Sequence, residues 1–292
     1  MKNKFIKFSL IASSITPAIA SCLISCTNYG ERDKLKDLIP TDRNVIQQVG
    51  DKEQKHTNAI IDQLLNFVFK NNKARLTTYL NQQNDSEYQK EIKAKFIAIA
   101  KEFNNENIKN NFEAKENIVN KYYNFYNQNW LFILRNLKNF EGEFVKWVVF
   151  PNGSEGGKHS KEYLQHLKEI DTPNNIDFKN NYLKQLKEGD ESAELANKKV
   201  LYLKKDKALF RLDIDRTLTE NPIMNFQNLF WYFPNAKNDN ISIPLVSDIV
   251  HFAYLHGFQI GFEHFEKDMV VKNKYGEPAY YTLIYKEANN EA

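Results

Sequence analysis

The chain has 292 residues, and its 42% hydrophobic and 13% aromatic content excludes a disordered protein, because such a chain can bury a sizeable core. The formal net charge is +3, and Lys2, Lys4 and Lys7 near the N-terminus account for all of it. The rest of the chain has no net charge, which excludes the general basic surface of a protein that binds nucleic acid.

Residues 1–25 have the pattern of a lipoprotein signal peptide. The three basic residues precede an apolar run from Phe8 to Ile24, which Pro17 and several hydroxyl residues interrupt. A basic start followed by a short apolar stretch is typical of a secretory signal. The run is too short and too polar for a transmembrane helix, which needs about 20 predominantly apolar residues. We therefore prefer a cleaved signal to a membrane-spanning anchor.

Two cysteines, Cys22 and Cys26, lie at the end of the apolar run. They close the segments IASC and LISC, and both segments resemble the lipobox of bacterial lipoproteins. The resemblance implies cleavage before a cysteine whose sulfur carries a diacylglyceryl group, with acyl chains such as palmitate. We prefer Cys26 as the lipidated residue, with Cys22 as the alternative, because polar residues follow Cys26 at once. The resemblance therefore implies a protein anchored by lipid at the extracellular face of the cell membrane.

The hydropathy pattern predicts four regions. Residues 1–25 are the signal peptide, 26–55 a flexible lipid-anchored tether, 56–195 a helical region with an aromatic helix, and 196–292 an α+β region with an antiparallel sheet. The predicted fold class is α+β, with a helical N-terminal half packed on a mostly antiparallel C-terminal sheet.

Helical periodicity begins near His56. Apolar residues at three- and four-residue spacing predict a first helix around residues 60–68, a second around 92–103 and one long helix over 104–141. Gly142 is expected to kink this last helix, because glycine permits a bend. Two shorter helices are predicted around 160–170 and 177–187.

The period changes to two near Asn197. Residues 201–203 and 210–214 alternate on either side of a polar turn and predict a β-hairpin. The pattern predicts further elements: a central strand over 226–233, a helix from Ser242 to Ala253, a strand over 258–262, and a final hairpin that joins 270–272 to 280–285.

An aromatic segment stands out over residues 122–150, and from Asn129 to Trp147 its sequence reads NWLFILRNLKNFEGEFVKW. This segment resembles the family of mollicute surface lipoproteins named for an aromatic motif or aromatic cluster. The 36 asparagines and the lipobox agree with that resemblance. The residues that carry it most clearly are Trp130, Phe132, Phe140, Phe144 and Trp147. The resemblance implies a membrane-anchored surface protein and brings no catalytic residues.

These aromatic residues have two interpretations. A stripe of rings at helical spacing normally packs inward, so we expect a buried structural role between the helices and the sheet. The alternative is a groove lined by rings that binds a ligand or partner. In that case Tyr123, Asn127 and Arg135 are the first candidate contacts, because they lie on the less apolar side of the predicted helix.

Three short motifs suggest chemistry that their context does not support. Asp213, Asp215 and Thr217 resemble the DxDxT motif of haloacid-dehalogenase-like phosphatases, but antiparallel hairpins follow where that family needs an αβ succession. Residues 153–158 resemble a phosphate-binding loop with the wrong glycine spacing. His251 and His256 are five residues apart, so they do not share a helix face as zinc ligands would, and His264 lies further along the chain.

The sequence therefore predicts an interaction or adhesion-type surface protein with no enzyme activity and no cofactor. Its expected partners are the membrane, through the lipidated cysteine, and a host or neighbouring surface protein. The alternative function is a solute-binding lipoprotein of a transporter, which would need two α/β lobes with parallel sheets around a cleft. A magnesium-dependent phosphatase is the remote alternative.

Overall fold

A computed structural model describes residues 49–70, 72–148, 173–195, 197–215, 224–226, 228–237, 239–253 and 264–286, together with Lys161 and Gln165. The predicted signal peptide, both cysteines and most of the predicted tether lie outside these residues. So do the loop 153–158, nearly all of the helix predicted over 160–170 and the strand predicted over 258–262.

The first half of the described chain is mostly helical, as predicted. The helices are α1 (Val49–Phe69), α2 (Lys73–Asn84), α3 (Ser86–Phe103), α4 (Glu106–Lys109), α5 (Phe112–Lys121), α6 (Tyr123–Gln128) and α7 (Trp130–Arg135). The two predicted apolar stripes are confirmed, because Ile60 and Leu64 of α1 and Phe96 and Phe103 of α3 are buried. Asp85 begins α3 by accepting a hydrogen bond from the backbone N–H of Tyr88.

The prediction of one long helix over residues 104–141 is wrong. That stretch forms the short helices α4 to α7, a 3₁₀ turn (Leu137–Asn139) and the start of a strand. Asparagine side chains account for two of the breaks. Asn105 accepts a hydrogen bond from the backbone N–H of Asn107, and Asn111 accepts one from that of Ala114. Asparagine competes for backbone hydrogen bonds in this way and favours caps over helix interiors.

All strands of the described chain belong to one antiparallel sheet. They are β1 (Phe140–Trp147), β2 (Ile176–Asp177), β3 (Gln185–Glu188), β4 (Lys198–Lys205), β5 (Ala208–Asp215), β6 (Met224–Phe226), β7 (Leu229–Tyr232) and β8 (Ala279–Tyr285). Their order is β2-β1-β8-β7-β5-β4-β3, and β6 pairs separately with β5. The α+β class is therefore correct, and the described residues show one antiparallel sheet rather than the two parallel-sheet lobes expected of a solute-binding protein.

Strand β1 replaces the predicted second half of the aromatic helix. Gly142 does not kink a helix: a Cβ atom there would lie 2.9 Å from Ile176 Cδ1 and 3.1 Å from Phe230 Cζ. Glycine at this position allows the neighbouring side chains to approach the strand closely. The register of β1 against β8 shifts between Phe144 and Lys146. This bulge explains why the spacing of the aromatic residues resembled that of a helix.

The remaining predictions in the C-terminal part had mixed outcomes. The hairpin of β4 and β5 is confirmed. A short helix, α8 (Glu191–Glu194), precedes this hairpin, and the helix predicted after Ser242 is confirmed as α9 (Ile243–His251). The strand predicted over 226–233 is divided between β6 and β7. Residues 177–187 are not helical, because Leu186 of β3 pairs with Leu203 of β4. Residues 270–272 belong to a π-helix (His264–Lys272) rather than to a hairpin.

The sheet has two covered faces. The first face carries Leu203, Phe210, Phe230 and Tyr281, which belong to one buried cluster with the apolar residues of α1, α3 and α5–α7. The second face carries a smaller cluster of the sheet residues Val200, Tyr202 and Leu209 with apolar residues of α9 and the π-helix. Within the described residues, no helix is both long enough and apolar enough to cross a membrane.

Candidate functional site

The aromatic residues singled out in the sequence lie mainly in the core of the first face. Trp130, Phe140 and Phe144 are at most 2% exposed, Phe132 is 8% exposed, and Trp147 is half-buried. Phe96 of α3 lies at the centre of the cluster. The rings in contact with it include Phe125, Tyr126, Phe132, Phe140 and Tyr285.

Two polar contacts connect this aromatic cluster to its surroundings. The buried hydroxyl of Tyr126 donates a hydrogen bond to the backbone carbonyl of Leu283, which joins α6 to β8. The ammonium of Lys115 on α5 lies 2.7 Å from a carboxylate oxygen of Glu143 on β1, and both side chains are buried. The cluster therefore fixes the helices on the sheet and offers few ring faces to solvent.

A groove opens in the helical layer beside Trp130, with a volume of about 580 Å³. Its lining comes from α1, α2, α3, α6, α7 and β6 and combines aromatic, amide and hydroxyl side chains with a single charged residue, Arg75. The described residues that line it are Val68, Phe69, Ala74, Arg75, Thr78, Tyr79, Gln82, Tyr88, Asn127, Gln128, Trp130 and Met224.

Hydrogen bonds between neighbouring helices hold the wall of the groove in place. The hydroxyl of Tyr88 and the amide of Gln83 donate to Asn129 Oδ1 at 3.1 and 3.3 Å. The hydroxyl of Tyr79 donates to the carbonyl of Gln128 at 3.3 Å, and burial raises the pKa of Tyr79 above its ordinary value. Both tyrosines are therefore fixed and uncharged at neutral pH.

Of the three residues proposed as groove contacts from the sequence, Asn127 lines this groove. Arg135 instead donates a hydrogen bond to Asn84 Oδ1 at 3.0 Å, and Tyr123 is half-buried away from the lining. The contribution of α2 was not foreseen, because Thr78 and Gln82 have no distinguishing pattern in the sequence.

A second cavity, the pocket, lies on the second face of the sheet and has a volume of about 370 Å³. Its walls are aromatic and aliphatic, and three polar side chains stand at one end. The described residues that line it are Glu191, Leu195, Tyr202, Leu209, Arg211, Leu229, Phe230, Trp231, Val246, Val250 and Tyr280.

The polar end of the pocket is a hydrogen-bonded cluster centred on Glu191, which is 1% exposed. Its carboxylate accepts hydrogen bonds from the hydroxyls of Tyr202 at 2.6 Å and Ser247 at 2.7 Å. Arg211 Nε lies 3.6 Å from the same carboxylate, while Arg211 Nη1 lies 2.8 and 2.9 Å from the carboxylate oxygens of Asp213. Burial raises the pKa of Glu191, and the positive charge of Arg211 opposes that rise.

This arrangement bears on the phosphatase-like motif. Asp213 is buried and its carboxylate contacts Arg211, and Asp215 is the last residue of β5, opposite Lys198. Thr217 lies outside the described residues. Among the residues that the structure describes, no group of His, Cys, Asp and Glu is arranged to hold a metal ion.

The histidines considered as metal ligands are separated as well. His251 is buried near the end of α9, and His264 Nδ1 lies 2.6 Å from Asp268 within the π-helix. His256 lies outside the described residues.

The comparison with protein families identifies the class of protein. Residues 37–276 match the family described as the aromatic cluster surface protein. The match spans most of the chain, so the chain belongs to that family and is a surface protein, which implies a location at the cell surface. No curated protein and no solved structure matches the chain.

Proposed function

We propose that the chain is a lipid-anchored surface protein that binds a partner protein in the groove beside Trp130. The proposal places the lipid on Cys26 and assigns no catalytic activity to the chain. The surface location comes from the family, and the N-terminal pattern supports the anchor.

The lining of the groove is the observation that carries the binding function. Tyrosine, tryptophan and arginine are the residue types that contribute most binding energy at protein interfaces. The groove presents the half-buried side chains of Tyr79, Tyr88 and Arg75, and none of its described lining residues is acidic. Amide side chains around these rings suit the backbone of a bound polypeptide, because each amide can both donate and accept a hydrogen bond.

A pair of neighbouring substitutions tests the groove. Thr78 lines it, whereas Thr77 is exposed on the same helix and does not. Thr78→Trp should fill the groove, and Thr77→Trp is its matched control. The wild-type full chain and both variants are immobilised and incubated with labelled surface proteins from the same cells and from host cells. We expect the wild type and Thr77→Trp to retain the same bound protein and Thr78→Trp to lose it.

Two results would contradict the binding proposal. Equal retention by Thr78→Trp and the wild type would exclude the groove as the binding surface. Capture of no surface protein by the wild type would reject the interaction function itself. Circular dichroism of the variants verifies that the helices are intact.

The anchor is tested separately. A diacylglyceryl group inserts two acyl chains, and each buried CH₂ contributes about 0.8 kcal/mol, whereas one chain alone gives only marginal attachment. Cys26→Ser should abolish labelling by a fatty-acid analogue and move the protein out of the membrane fraction. Cys22→Ser should leave both unchanged. The reverse pattern would assign the lipid to Cys22, and no effect of either variant would reject the lipoprotein proposal.

A further inference from the structure

Lysines are concentrated at one end of the molecule, where α1 begins. The described lysines of this end, called the basic end, are Lys55, Lys179, Lys184, Lys205, Lys207 and Lys237. Contacts between distant parts of the chain bring them together. In the loop before β3, the carbonyl of Lys184 lies 3.0 Å from the ring of His56 on α1. Lys205, at the turn between β4 and β5, donates a hydrogen bond to Asn180 Oδ1 in the same loop at 2.9 Å. Lys184 also pairs with Asp239, which brings the loop after β7, with Lys237, to this end.

Positive charge exceeds negative charge among the described side chains of the basic end. Lys184 pairs with Asp239 and Lys205 with Asp206, and Glu53 of α1 supplies a further carboxylate. The lysines of this end that form no ion pair within the described chain are the exposed Lys55, Lys179 and Lys237 and the half-buried Lys207. The chain beyond its N-terminal lysines has no net charge, so this excess is a local feature.

The chain leads from the basic end toward the proposed lipid. Val49 begins α1, and 22 residues separate it from Cys26. A residue spans at most about 3.6 Å, so this segment keeps the start of α1 within about 80 Å of the lipidated residue. A lipid on Cys26 would therefore hold the basic end at a high effective concentration beside the headgroups of the membrane.

We infer that the basic end contacts the anionic phospholipid headgroups of the membrane that holds the lipid anchor. The inference rests on the proposed anchor and adds an orientation to it. Phosphate groups attract lysine ammonium groups, and each lysine near an anionic membrane contributes about fivefold to the affinity, equivalent to about 1 kcal/mol. Lysine suits this partner, because it binds phosphate as a point charge on a flexible stem and needs no fixed geometry.

This orientation turns the groove away from the membrane. Helix α1 runs from the basic end to the groove, which its last two residues line. His56 and Phe69 lie about 20 Å apart along this helix, at about 1.5 Å per residue. Strand β5 gives the same direction. It begins at Ala208, next to the turn of the basic end, and its Ile214 pairs with Met224 of the groove, about 20 Å away at about 3.3 Å per residue.

Two fluorescent labels on α1 test the orientation. Gln54 and Asn66 are both exposed, and they lie about 18 Å apart along the helix axis. Gln54→Cys and Asn66→Cys are labelled separately in the lipidated protein purified from membranes. Each protein is placed in phosphatidylcholine vesicles, with or without phosphatidylglycerol, that carry a quencher on some headgroups. We expect stronger quenching at residue 54 than at residue 66 in the anionic vesicles, and loss of this difference in neutral vesicles and at high salt.

Charge reversal then identifies the lysines responsible. Lys179→Glu/Lys237→Glu should lower the equilibrium constant for contact about 25-fold or more, at about fivefold per lysine, and should abolish the excess quenching at residue 54. The matched control is Lys73→Glu/Lys109→Glu, which reverses two exposed lysines of α2 and α4 outside the basic end. We expect this control to retain the wild-type quenching. Circular dichroism verifies that both variants are folded.

The outcomes separate this inference from the proposed function. Flotation with the vesicles measures the anchor, and a wild type that does not float would reject the anchor and the inference together. A protein that floats but shows equal quenching at both positions, or stronger quenching at residue 66, would overturn the inference and leave the anchor intact. Unchanged quenching in Lys179→Glu/Lys237→Glu would overturn it as well. Capture of the protein partner depends on the groove, so Thr78→Trp should leave the quenching unchanged.

Discussion

The ammonium of Lys115 lies 2.7 Å from Glu143 Oε1 and 2.8 Å from the backbone carbonyl of Phe144, in an interior where neither side chain is more than 10% exposed. This ion pair joins helix α5 to strand β1, directly beside the aromatic cluster. A second pair on α3, Lys90 with Glu87, has the same 2.7 Å separation but side chains 72% and 74% exposed. The two pairs differ in burial and not in length.

Glu143→Ala should therefore destabilise the protein far more than Glu87→Ala. Removing one partner of a buried ion pair typically costs about 3–5 kcal/mol, because the other charge is left without compensation. An exposed pair contributes about 0–1 kcal/mol. Urea unfolding of the two variants gives both free energies. The double variant Lys115→Met/Glu143→Leu should be more stable than Glu143→Ala, because it leaves no unpaired charge in the interior. If all three variants lose a similar free energy of unfolding, burial does not determine the contribution of the ion pair.

Trp130→Ala and Trp147→Ala should also differ. Trp130 of α7 is 2% exposed and lies in the hydrophobic core on the first face of the sheet. Truncation of a buried aromatic residue typically lowers the free energy of unfolding by about 3–5 kcal/mol. Trp147 is half-buried near the end of β1, so Trp147→Ala should lose less stability than Trp130→Ala. Thermal melts followed by circular dichroism measure the difference. If Trp130→Ala melts at the wild-type temperature, the structural interpretation of the aromatic cluster is wrong.

Lys204 gives a prediction about pH. Its ammonium is buried and donates a hydrogen bond to the carbonyl of Ile241 at 2.8 Å. Burial, with the nearby charge of Lys184, lowers the pKa of Lys204 from 10.5 to about 8. Because the folded-state pKa lies below the unfolded one, the unfolded chain binds the proton more tightly. The destabilising contribution of Lys204 is therefore full below pH 8 and disappears as the pH approaches 10.5.

The free energy of unfolding should therefore rise between pH 8 and pH 10 more steeply in the wild type than in Lys204→Met. The variant has no ammonium to bury and should also be more stable than the wild type below pH 8. Urea unfolding at several pH values measures both effects. Parallel pH profiles for the two proteins would exclude a lowered pKa at Lys204.

The DxDxT-like motif gives a prediction about activity. We expect the wild-type chain to release no phosphate from a general phosphatase substrate in the presence of Mg²⁺. The physical reason is that the carboxylate of Asp213 is buried and held by Arg211, so it is not positioned as a free nucleophile. A phosphate-release assay checks this, with Asp213→Asn as the comparison. Turnover by the wild type that disappears in Asp213→Asn would overturn the prediction.

The sequence correctly predicted those elements whose conformation is determined by residues close together in the chain. The hairpin of β4 and β5 followed from strict alternation, and α9 followed from Ser242, whose side chain accepts a hydrogen bond from the backbone N–H of Leu245. Both signals depend on neighbours in the chain. They could therefore be recognised without any knowledge of the tertiary structure.

Strand β1 could not be recognised in this way. Phe140, Phe144 and Val145 all lie in the hydrophobic core on the first face of the sheet. Phe144 and Val145 are consecutive, and they share a side of the sheet because of the bulge between Phe144 and Lys146. With Trp147 packed against the same core, the resulting spacing of four and three residues is that of a helix. Only the pairing with β8, far along the chain, determines that this segment is extended.

The groove and the pocket also could not be predicted from the sequence, because each is formed by residues far apart in the chain. The groove brings together side chains from six elements, and the polar end of the pocket brings Ser247 of α9 to Glu191 of α8 (Glu191–Glu194). Neither set has a fixed spacing along the chain. Asn127 was named from the sequence because it belongs to the aromatic segment, whereas Arg211 had no such neighbour.

The pairing of β1 with β8 also determines when the fold can be completed. Phe140 lies opposite Tyr285, and β8 stands in the sheet between β1 and β7. An interior strand of the sheet is thus synthesised long after its partner β1, and closing so long a loop slows folding. A nascent chain that still lacks residues 279–285 can form only two separate pieces of this sheet, β2-β1 and β7-β5-β4-β3. Until then the hydrophobic core on the first face lacks Tyr281, Leu283 and Ile284, so the chain cannot reach its native fold before its last strand is made.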